Sequence, residues 1–215
     1  MKEFELYFML FITYSFIGWV IEVMNELIIN KKIVNRGFLI GPYCPIYGCG
    51  AILMILFIKN TGDVIGTFLK IVFICAILEY TTSYWMEKLF KTRWWDYSKN
   101  KYNINGRICL ETMFLFGIGG CILLYLVNPF ITGIYQMIPN LLMTIISVLL
   151  FIIFISDIIL SFNIINGLKN TFISPKKDST EEISKMRGNI KKSYLRERVI
   201  KAFPNIEKLK KKVNL

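Results

Sequence analysis

Long blocks of apolar residues constrain this chain more than any other feature of its sequence. A helix needs about 20 mostly apolar residues to cross roughly 30 Å of hydrocarbon, and several blocks approach or exceed that length. The blocks cover residues 6–29, 38–58, 64–86, 108–127 and 139–165. Only 19% of the residues are charged, whereas a soluble domain carries about 25%. The sequence therefore predicts an all-α, polytopic membrane protein with about five transmembrane helices.

The basic residues predict how the protein sits in the membrane. All but three of the 26 Lys and Arg residues fall after the first span, after the third span, or in the C-terminal region. These segments alternate with segments that are poor in positive charge, and cytoplasmic loops carry the excess of Lys and Arg. We therefore expect the N-terminus outside, the C-terminus inside, and a transmembrane domain over residues 1–168.

Residues 169–215 are typical of a basic amphipathic cytoplasmic tail. Apolar residues such as Ile183, Ile190 and Val199 recur at roughly helical spacing among many Lys and Arg residues. Anionic headgroups of the inner leaflet attract each such cation by about 1 kcal/mol, so the lipid surface is an expected partner. Docking of a partner protein is the alternative. Because no nucleic-acid recognition motif accompanies the charge, nucleic acid is not expected.

Carboxylates inside the apolar blocks are candidates for function, because ionisable groups are costly within a membrane. With about 1.5 Å of rise per residue, carboxylates from four spans reach one level near the inner surface. They are Glu22, Glu26, Glu79, Glu111 and Asp157. Arg36, Arg93 and Arg107 follow in the adjoining loops. Two interpretations stay open: a polar cavity open to the cytoplasm, or ion pairs that pin the inner loops to the helix ends.

The second apolar block cannot be one continuous helix. Gly41-Pro42 and Pro45 interrupt it, and proline disrupts the interior of a helix. A helix over residues 45–58 would cover about 21 Å, less than the hydrocarbon width. Residues 37–44, including Tyr43, are then expected at membrane depth, where irregular backbone is buried in protein or lines a wet cavity. A tight interfacial loop is the alternative.

Two further loops complete the predicted arrangement. Residues 128–138, with Pro129 and Gly133, are expected to form a short outer loop between the last two spans. After the third span, Trp95 lies beside the inner membrane face, where aromatic residues are common. Its neighbour Asp96 is expected to pair with a nearby arginine.

Several kinds of chemistry lack their usual residues. The chain has no His, which is the commonest general base and metal ligand. Its five Cys residues match neither a metal-ligand pattern nor a disulfide framework. No Gly-x-x-x-x-Gly-Lys-Ser/Thr motif is present, so any ATPase would be a separate chain. We expect no cofactor and no metal, and whether the chain is an enzyme stays open.

Four parts of the chain resemble one known family. They are Tyr14-Ser-Phe-Ile-Gly-Trp-Val-Ile-Glu22, Asn35-Arg-Gly-Phe-Leu-Ile-Gly-Pro-Tyr-Cys-Pro-Ile-Tyr-Gly48, Glu79-Tyr with Glu87-Lys-Leu-Phe90, and Arg93-Trp-Trp-Asp-Tyr-Ser98 with Asn103-Ile-Asn-Gly-Arg-Ile-Cys-Leu110. Over roughly residues 8–125 the chain is similar to the ABC-transporter permease family of the CmpB type. The resemblance implies a bacterial cell-membrane protein, and the composition suits a Gram-positive host. It also implies a separate ATPase subunit, and a translocation path would call for a homo-oligomer.

The candidate substrate-binding residues come from these motifs and their neighbours. They are Glu22, Arg36, Tyr43, Glu79, Trp95, Asp96, Asn103, Arg107 and Glu111. The first functional hypothesis is a transport subunit with a polar cavity open to the cytoplasm. The second is a non-catalytic membrane scaffold or regulator. The third is an enzyme acting on a lipid or lipid-linked anionic substrate at the inner leaflet, with a glutamate as acid or base and arginines on the headgroup.

Overall fold

The computed structural model describes residues 3–31, 35, 37, 39–58, 62–90 and 93–173, and beyond residue 163 it describes the backbone alone. The elements are α1 Glu3–Asn30, α2 Pro45–Phe57, α3 Val64–Phe90, β1 Asn103–Ile104, β2 Ile108–Cys109, α4 Leu110–Ile122, α5 Asn128–Met137 and α6 Asn140–Ile173, with a π-helical segment Leu123–Val127 between α4 and α5. Residues 174–215, which make up most of the predicted tail, lie outside the described residues.

Four helical stretches of the described chain are long and apolar enough to cross a membrane. They are Glu3–Ile29, Val64–Phe90, Leu110–Met137 and Asn140–Asn163. Many of their large apolar side chains face outward; Ile65 is 76% exposed and Phe73 is 66% exposed. Exposing such surface to water costs about 25 cal/mol per Å², and hydrocarbon removes that cost. The prediction of an all-α polytopic membrane protein is confirmed.

The second span is broken, as predicted. α2 has 13 residues and therefore covers roughly 20 Å, less than the hydrocarbon width. Pro45 opens the helix, at a position where its missing N–H is not needed. Residues 39–44 are not helical, and the Cys44 N–H donates to the Ser15 carbonyl of α1 at 2.8 Å. The neighbouring helix thus accepts one of the backbone hydrogen bonds of the irregular segment.

α2 lies between α1 and α3 at the centre of the bundle. On one side Ala51 packs with Leu10 and Tyr14 of α1. On the other side Met54 packs with Ile71 of α3. Because lipid is as apolar as these side chains, close packing rather than the hydrophobic effect holds the helices together.

The expected outer loop over residues 128–138 is wrong, because most of these residues form α5. The π-helical segment joins α5 to α4, with the Asn128 N–H donating to the Leu123 carbonyl. Pro129 follows directly. Proline has no N–H and its ring clashes with a regular preceding turn, so the wider π turn allows the helix to continue. The connection between α5 and α6 consists of two residues, Ile138 and Pro139.

Helices of alternating direction bring the basic loops to one end of the bundle, which we call the basic end. α1 and α3 end there and α4 begins there. Its described basic residues are Lys31, Lys88, Arg93, Lys99, Lys101 and Arg107. The α3–α4 loop, residues 93–109, lies at this end and contains the β1–β2 hairpin. That the basic end faces the cytoplasm stays a prediction from the positive-inside rule.

Candidate functional site

A polar stripe on α3 organises the basic end. Glu79, Ser83 and Glu87 are spaced four residues apart and therefore lie on one face of the helix. Each accepts a hydrogen bond from the α3–α4 loop. Tyr97 donates its hydroxyl to Glu79 at 3.0 Å, and Arg107 donates to Ser83 at 3.1 Å and to Glu87 at 2.6 Å. The loop is thereby held along two turns of α3.

Two glutamates and two tyrosines from different elements meet beside this stripe, and we call them the glutamate–tyrosine cluster. Tyr47 of α2 donates its hydroxyl to Glu22 Oε1 of α1 at 2.8 Å, as Tyr97 does to Glu79 Oε1. Glu79 is 6% exposed, and its Oε2 has no hydrogen-bond partner among the described residues. Burial, followed by the nearby Glu79 charge, raises the pKa of the Tyr97 hydroxyl. Tyr97 therefore stays a hydrogen-bond donor at neutral pH.

Arg107, Arg93 and Glu87 form an arginine cluster next to it. Arg107 is 8% exposed, and its Nη2 lies 2.6 Å from Glu87 Oε2, while Arg93 Nε lies 3.2 Å from the same oxygen. The Arg107 guanidinium also lies 5.7 Å from the ring centroid of Tyr80 and 5.5 Å from that of Tyr84. Such contacts stabilise a cation by about 0.5–2 kcal/mol. The charge of Arg107 is therefore balanced within the protein.

The hairpin in the α3–α4 loop was missed by the sequence analysis. Asn105 and Gly106 have φ of 53° and 67°, as a two-residue type I′ turn requires. The Gly106 N–H donates to Asn103 Oδ1 at 2.9 Å, and the Arg107 N–H donates to the Ile104 carbonyl at 3.0 Å. The Asn-Gly pair at residues 105–106 is the sequence signal that could have predicted this turn.

Trp95 and Asp96 order the remainder of this loop. Trp95 Nε1 donates to the Arg107 carbonyl at 2.9 Å. Asp96 Oδ1 accepts the Ser98 N–H at 3.0 Å and lies 3.6 Å from Arg93 Nη1. Both side chains therefore have structural partners inside the loop.

Asp157 of α6 organises the irregular segment before α2. Its carboxylate accepts hydrogen bonds from the Ile40 N–H at 2.9 Å, the Gly41 N–H at 2.7 Å, the Tyr43 hydroxyl at 2.6 Å and the Ser161 hydroxyl at 2.8 Å. Asp157 is 7% exposed. The N–H groups of an irregular segment need hydrogen-bond partners, and this carboxylate accepts those of Ile40 and Gly41.

The candidate residues thus divide among separate environments. Glu22 and Glu79 share the glutamate–tyrosine cluster, whereas Tyr43 lies with Asp157. Glu111 is exposed and accepts a hydrogen bond from Asn100 at 2.8 Å. Trp95, Asp96, Asn103 and Arg107 all belong to the α3–α4 loop. Arg36 lies outside the described residues.

Four polar residues of these clusters were not named as candidates from the sequence: Tyr47, Ser83, Glu87 and Tyr97. Ser83 and Glu87 could have been found from their four-residue spacing after Glu79. The tyrosines carry no comparable signal, because their partners come from other helices.

A family model, described as "Putative ABC-transporter type IV" and of the CmpB type, matches residues 9–162. The match covers more than two thirds of the 215 residues. The chain belongs to this family. The resemblance identified from the sequence motifs is confirmed. Comparison with curated proteins and with solved structures found no significant match.

The CmpB-type match includes every polar cluster described above. It runs from α1 to one residue beyond Ser161, the last partner of Asp157. It leaves out the basic C-terminal region. With its long apolar helices, this CmpB-type chain is a multi-pass membrane protein.

Two cavities in the described part of this CmpB-type protein lie away from the glutamate–tyrosine cluster. One has a volume of about 130 Å³ and lies near the end opposite the basic end. It is lined by Ile55, Ile58, Thr67, Leu124, Tyr125 and Asn128. The other is an apolar groove of about 400 Å³ between α3 and α4, where Phe68 and Phe114 face each other. Neither includes a cluster residue, so the cytoplasm-facing cavity stays a prediction.

Replacing Gly106 with alanine is expected to loosen the α3–α4 loop. An added Cβ would contact Ser98 Oγ and lie 2.6 Å from Asp96 Oδ1, and the residue would keep a left-handed φ that costs roughly 1–2 kcal/mol outside glycine. Hydrogen exchange of residues 93–109 in the purified protein should therefore become faster. Gly62→Ala is the matched control, since Gly62 has φ of 76° but nothing within 4 Å of an added Cβ. Equal effects of the two changes would show that the contacts of Gly106 are unimportant.

Proposed function

We propose that this CmpB-type protein is the permease subunit of an ABC-type transporter in the bacterial cell membrane, working with a separate ATPase chain. Family membership supports the proposal. Because the sequence has no phosphate-binding motif, nucleotide hydrolysis would take place on another polypeptide. Hydrolysis can drive transport only if movement of that polypeptide reaches the transmembrane helices.

The α3–α4 loop is the observation that carries this proposal, because it provides such a link. On its exposed side, Tyr102 is 78% exposed and Ile104 is 56% exposed. Neighbouring exposed apolar side chains on an ordered hairpin are typical of a protein contact. On its other side, Tyr97 and Arg107 tie the loop to α3. A force applied to the hairpin would therefore act on α3 near the buried Glu79.

Within this proposal the glutamate–tyrosine cluster is the polar part of the translocation path. Tyr97 belongs to the loop and donates to Glu79, so movement of the loop would break this bond. A cavity would then open from the cluster toward the cytoplasm. Because a path enclosed by so few helices is narrow, we expect the working complex to contain a second copy of this chain.

Replacing both Tyr102 and Ile104 with alanine is expected to prevent capture of the ATPase subunit. The full-length tagged protein would be purified in mild detergent from membranes of its native host. Bound chains would be identified by mass spectrometry, and phosphate release would report ATP hydrolysis. The unmodified protein should retain a chain with a phosphate-binding motif, and the double variant should lose it by about tenfold or more, as for hot-spot residues.

Met137→Ala is the matched control for this experiment. Met137 is apolar and 85% exposed, but it lies at the end opposite the basic end. It should leave both the bound chain and the ATPase activity unchanged. Light scattering of the purified complex would count the copies of each chain. Purification of the unmodified protein with no nucleotide-binding chain, or equal retention by the double variant, would refute the proposal.

A non-catalytic membrane scaffold is the second candidate function. It is favoured by the internal partners of charged groups at the basic end, since Arg107 pairs with Glu87 and Asp157 accepts four hydrogen bonds. For a scaffold, no ATPase would be captured. Substitution of these charges would then lower the stability of the protein without changing any transport activity.

A further inference from the structure

In the part of the chain that the structure describes, no positive charge balances the two carboxylates of the glutamate–tyrosine cluster. Glu22 and Glu79 project from different helices, α1 and α3, and their like charges repel each other. Their hydrogen bonds come from Tyr47 and Tyr97, which are neutral donors. Among the described residues, no Lys or Arg forms an ion pair with either glutamate.

The arginines bound to α3 do not supply the missing charge. Arg107 and Arg93 both pair with Glu87, two helical turns from Glu79. Arg107 also donates to Ser83 and lies over the ring of Tyr80, but it forms no ion pair with Glu79. Thiols also interact with the cluster: Cys44 with Glu22, Cys75 with Glu79, and Cys109 with Tyr97. Glu26 follows Glu22 by one turn of α1 and is acidic too. Thiols and phenols carry no positive charge in any protonation state.

Glu79 supplies the independent indication that a ligand belongs here. It is 6% exposed, and its Oε2 is fully buried without a partner among the described residues. A buried acceptor without a donor destabilises the protein, and more strongly if it is charged. Glu22 is half-buried, and two neighbouring carboxylates repel each other when both are ionised. One bound positive charge would remove both penalties.

We propose that Glu22 and Glu79 form a binding site for a single small cation, taken up as a proton shared by the two carboxyl groups or as a monovalent metal ion. The donors are all oxygens, two carboxylates and two phenol hydroxyls. The site does not depend on the proposed transport function, because charge balance is needed in either case.

Infrared spectroscopy of the purified full-length protein tests the proton directly. In sodium-free neutral buffer, the spectrum of the unmodified protein minus that of Glu79→Gln is expected to contain the C=O band of a protonated carboxyl group. Glu22→Gln should remove the same band, because the proton is shared. The apparent Tm of the unmodified protein should fall by several degrees as the pH rises and the proton leaves. Glu79→Gln imitates the neutral carboxyl group, so its Tm should change less.

A monovalent metal ion gives a different result. The carboxyl band would then be absent, and the apparent Tm would rise with sodium chloride relative to choline chloride at equal ionic strength. Glu79→Gln and Glu22→Gln would both lose this sodium dependence. If Glu79→Gln fails to fold, the unmodified protein and Glu22→Gln still provide both measurements.

Two further variants complete the test. Glu111→Gln is the matched control, because Glu111 is an exposed glutamate at the same end, and it should leave the band and the sodium dependence unchanged. Arg36→Gln should also leave them unchanged. If Arg36→Gln instead creates the band or the sodium dependence, an arginine supplies the charge and the proposal fails. It fails equally if the unmodified protein shows neither signal.

Discussion

Replacing Asp157 with alanine is expected to lower the apparent Tm of the detergent-solubilised protein by roughly 10 °C. The variant removes one acceptor that serves four donors. It leaves the half-buried Gly41 N–H without its carboxylate partner and the Ile40 N–H with the Ser161 hydroxyl alone. Each such loss costs about 1–3 kcal/mol, and losses that share one acceptor do not add fully. We expect the free energy of unfolding to fall by roughly 3–5 kcal/mol in total. For a chain of this size, each kcal/mol lowers the Tm by about 2–4 °C.

Two milder variants calibrate this result. Tyr43→Phe removes one of the four donors and should cost about 1 kcal/mol. Asp63→Ala removes an exposed carboxylate that accepts one hydrogen bond, from the Gly66 N–H at 2.9 Å, and should have a similarly small effect. Fluorescence-detected gel filtration after heating would compare all three. If Asp157→Ala is no less stable than Asp63→Ala, the irregular segment does not depend on α6.

Replacing Gly48 with alanine is expected to lower the apparent Tm by about 8 °C. An added Cβ would contact Ser15 Oγ and lie 2.5 Å from the Phe11 carbonyl oxygen of α1. A backbone oxygen cannot rotate away as a side chain can, so α1 and α2 must separate. Overpacking of this kind costs about 1–3 kcal/mol, and we expect the upper end because the contact is with backbone.

Gly119→Ala is the matched control for this second prediction. Gly119 is also a glycine within an apolar helix, but nothing lies within 4 Å of an added Cβ. Alanine has a higher helix propensity than glycine by about 1 kcal/mol, so Gly119→Ala should be neutral or slightly stabilising. The same thermal measurement applies to both. Equal stability of the two variants would mean that α1 and α2 do not pack closely at Gly48.

Hydrogen-bonding requirements made the helical plan predictable from the sequence. Without water in the hydrocarbon, a spanning segment must satisfy its own backbone groups, so long apolar blocks become helices. Pro45 made the short α2 predictable for the same reason. Pro129 was misleading because its effect depends on the turn before it. A π-helical turn accommodates the proline, and nothing in the local sequence distinguishes that outcome from a loop.

The hairpin shows a different kind of error. Asn105 and Gly106 carry a local signal, since few residues accept two successive positive φ angles. Because the segment lies between two long apolar blocks, it was predicted only as a loop that connects two spans. The hairpin was therefore predictable, whereas the hydrogen bond from Tyr97 to Glu79 was not, because it joins the loop to a buried position of α3.

The sequence by itself determined the membrane class, the family, the break before α2 and the position of each carboxylate along its helix. Position along a helix follows from a constant rise per residue and needs no knowledge of the neighbours. Only the tertiary structure decided which groups each carboxylate contacts. A side chain's direction around its helix determines its contacts only once the positions of the neighbouring helices are known. Helix packing therefore turned Glu79 toward Tyr97 of the α3–α4 loop, Asp157 toward the irregular segment and Glu111 toward the surface.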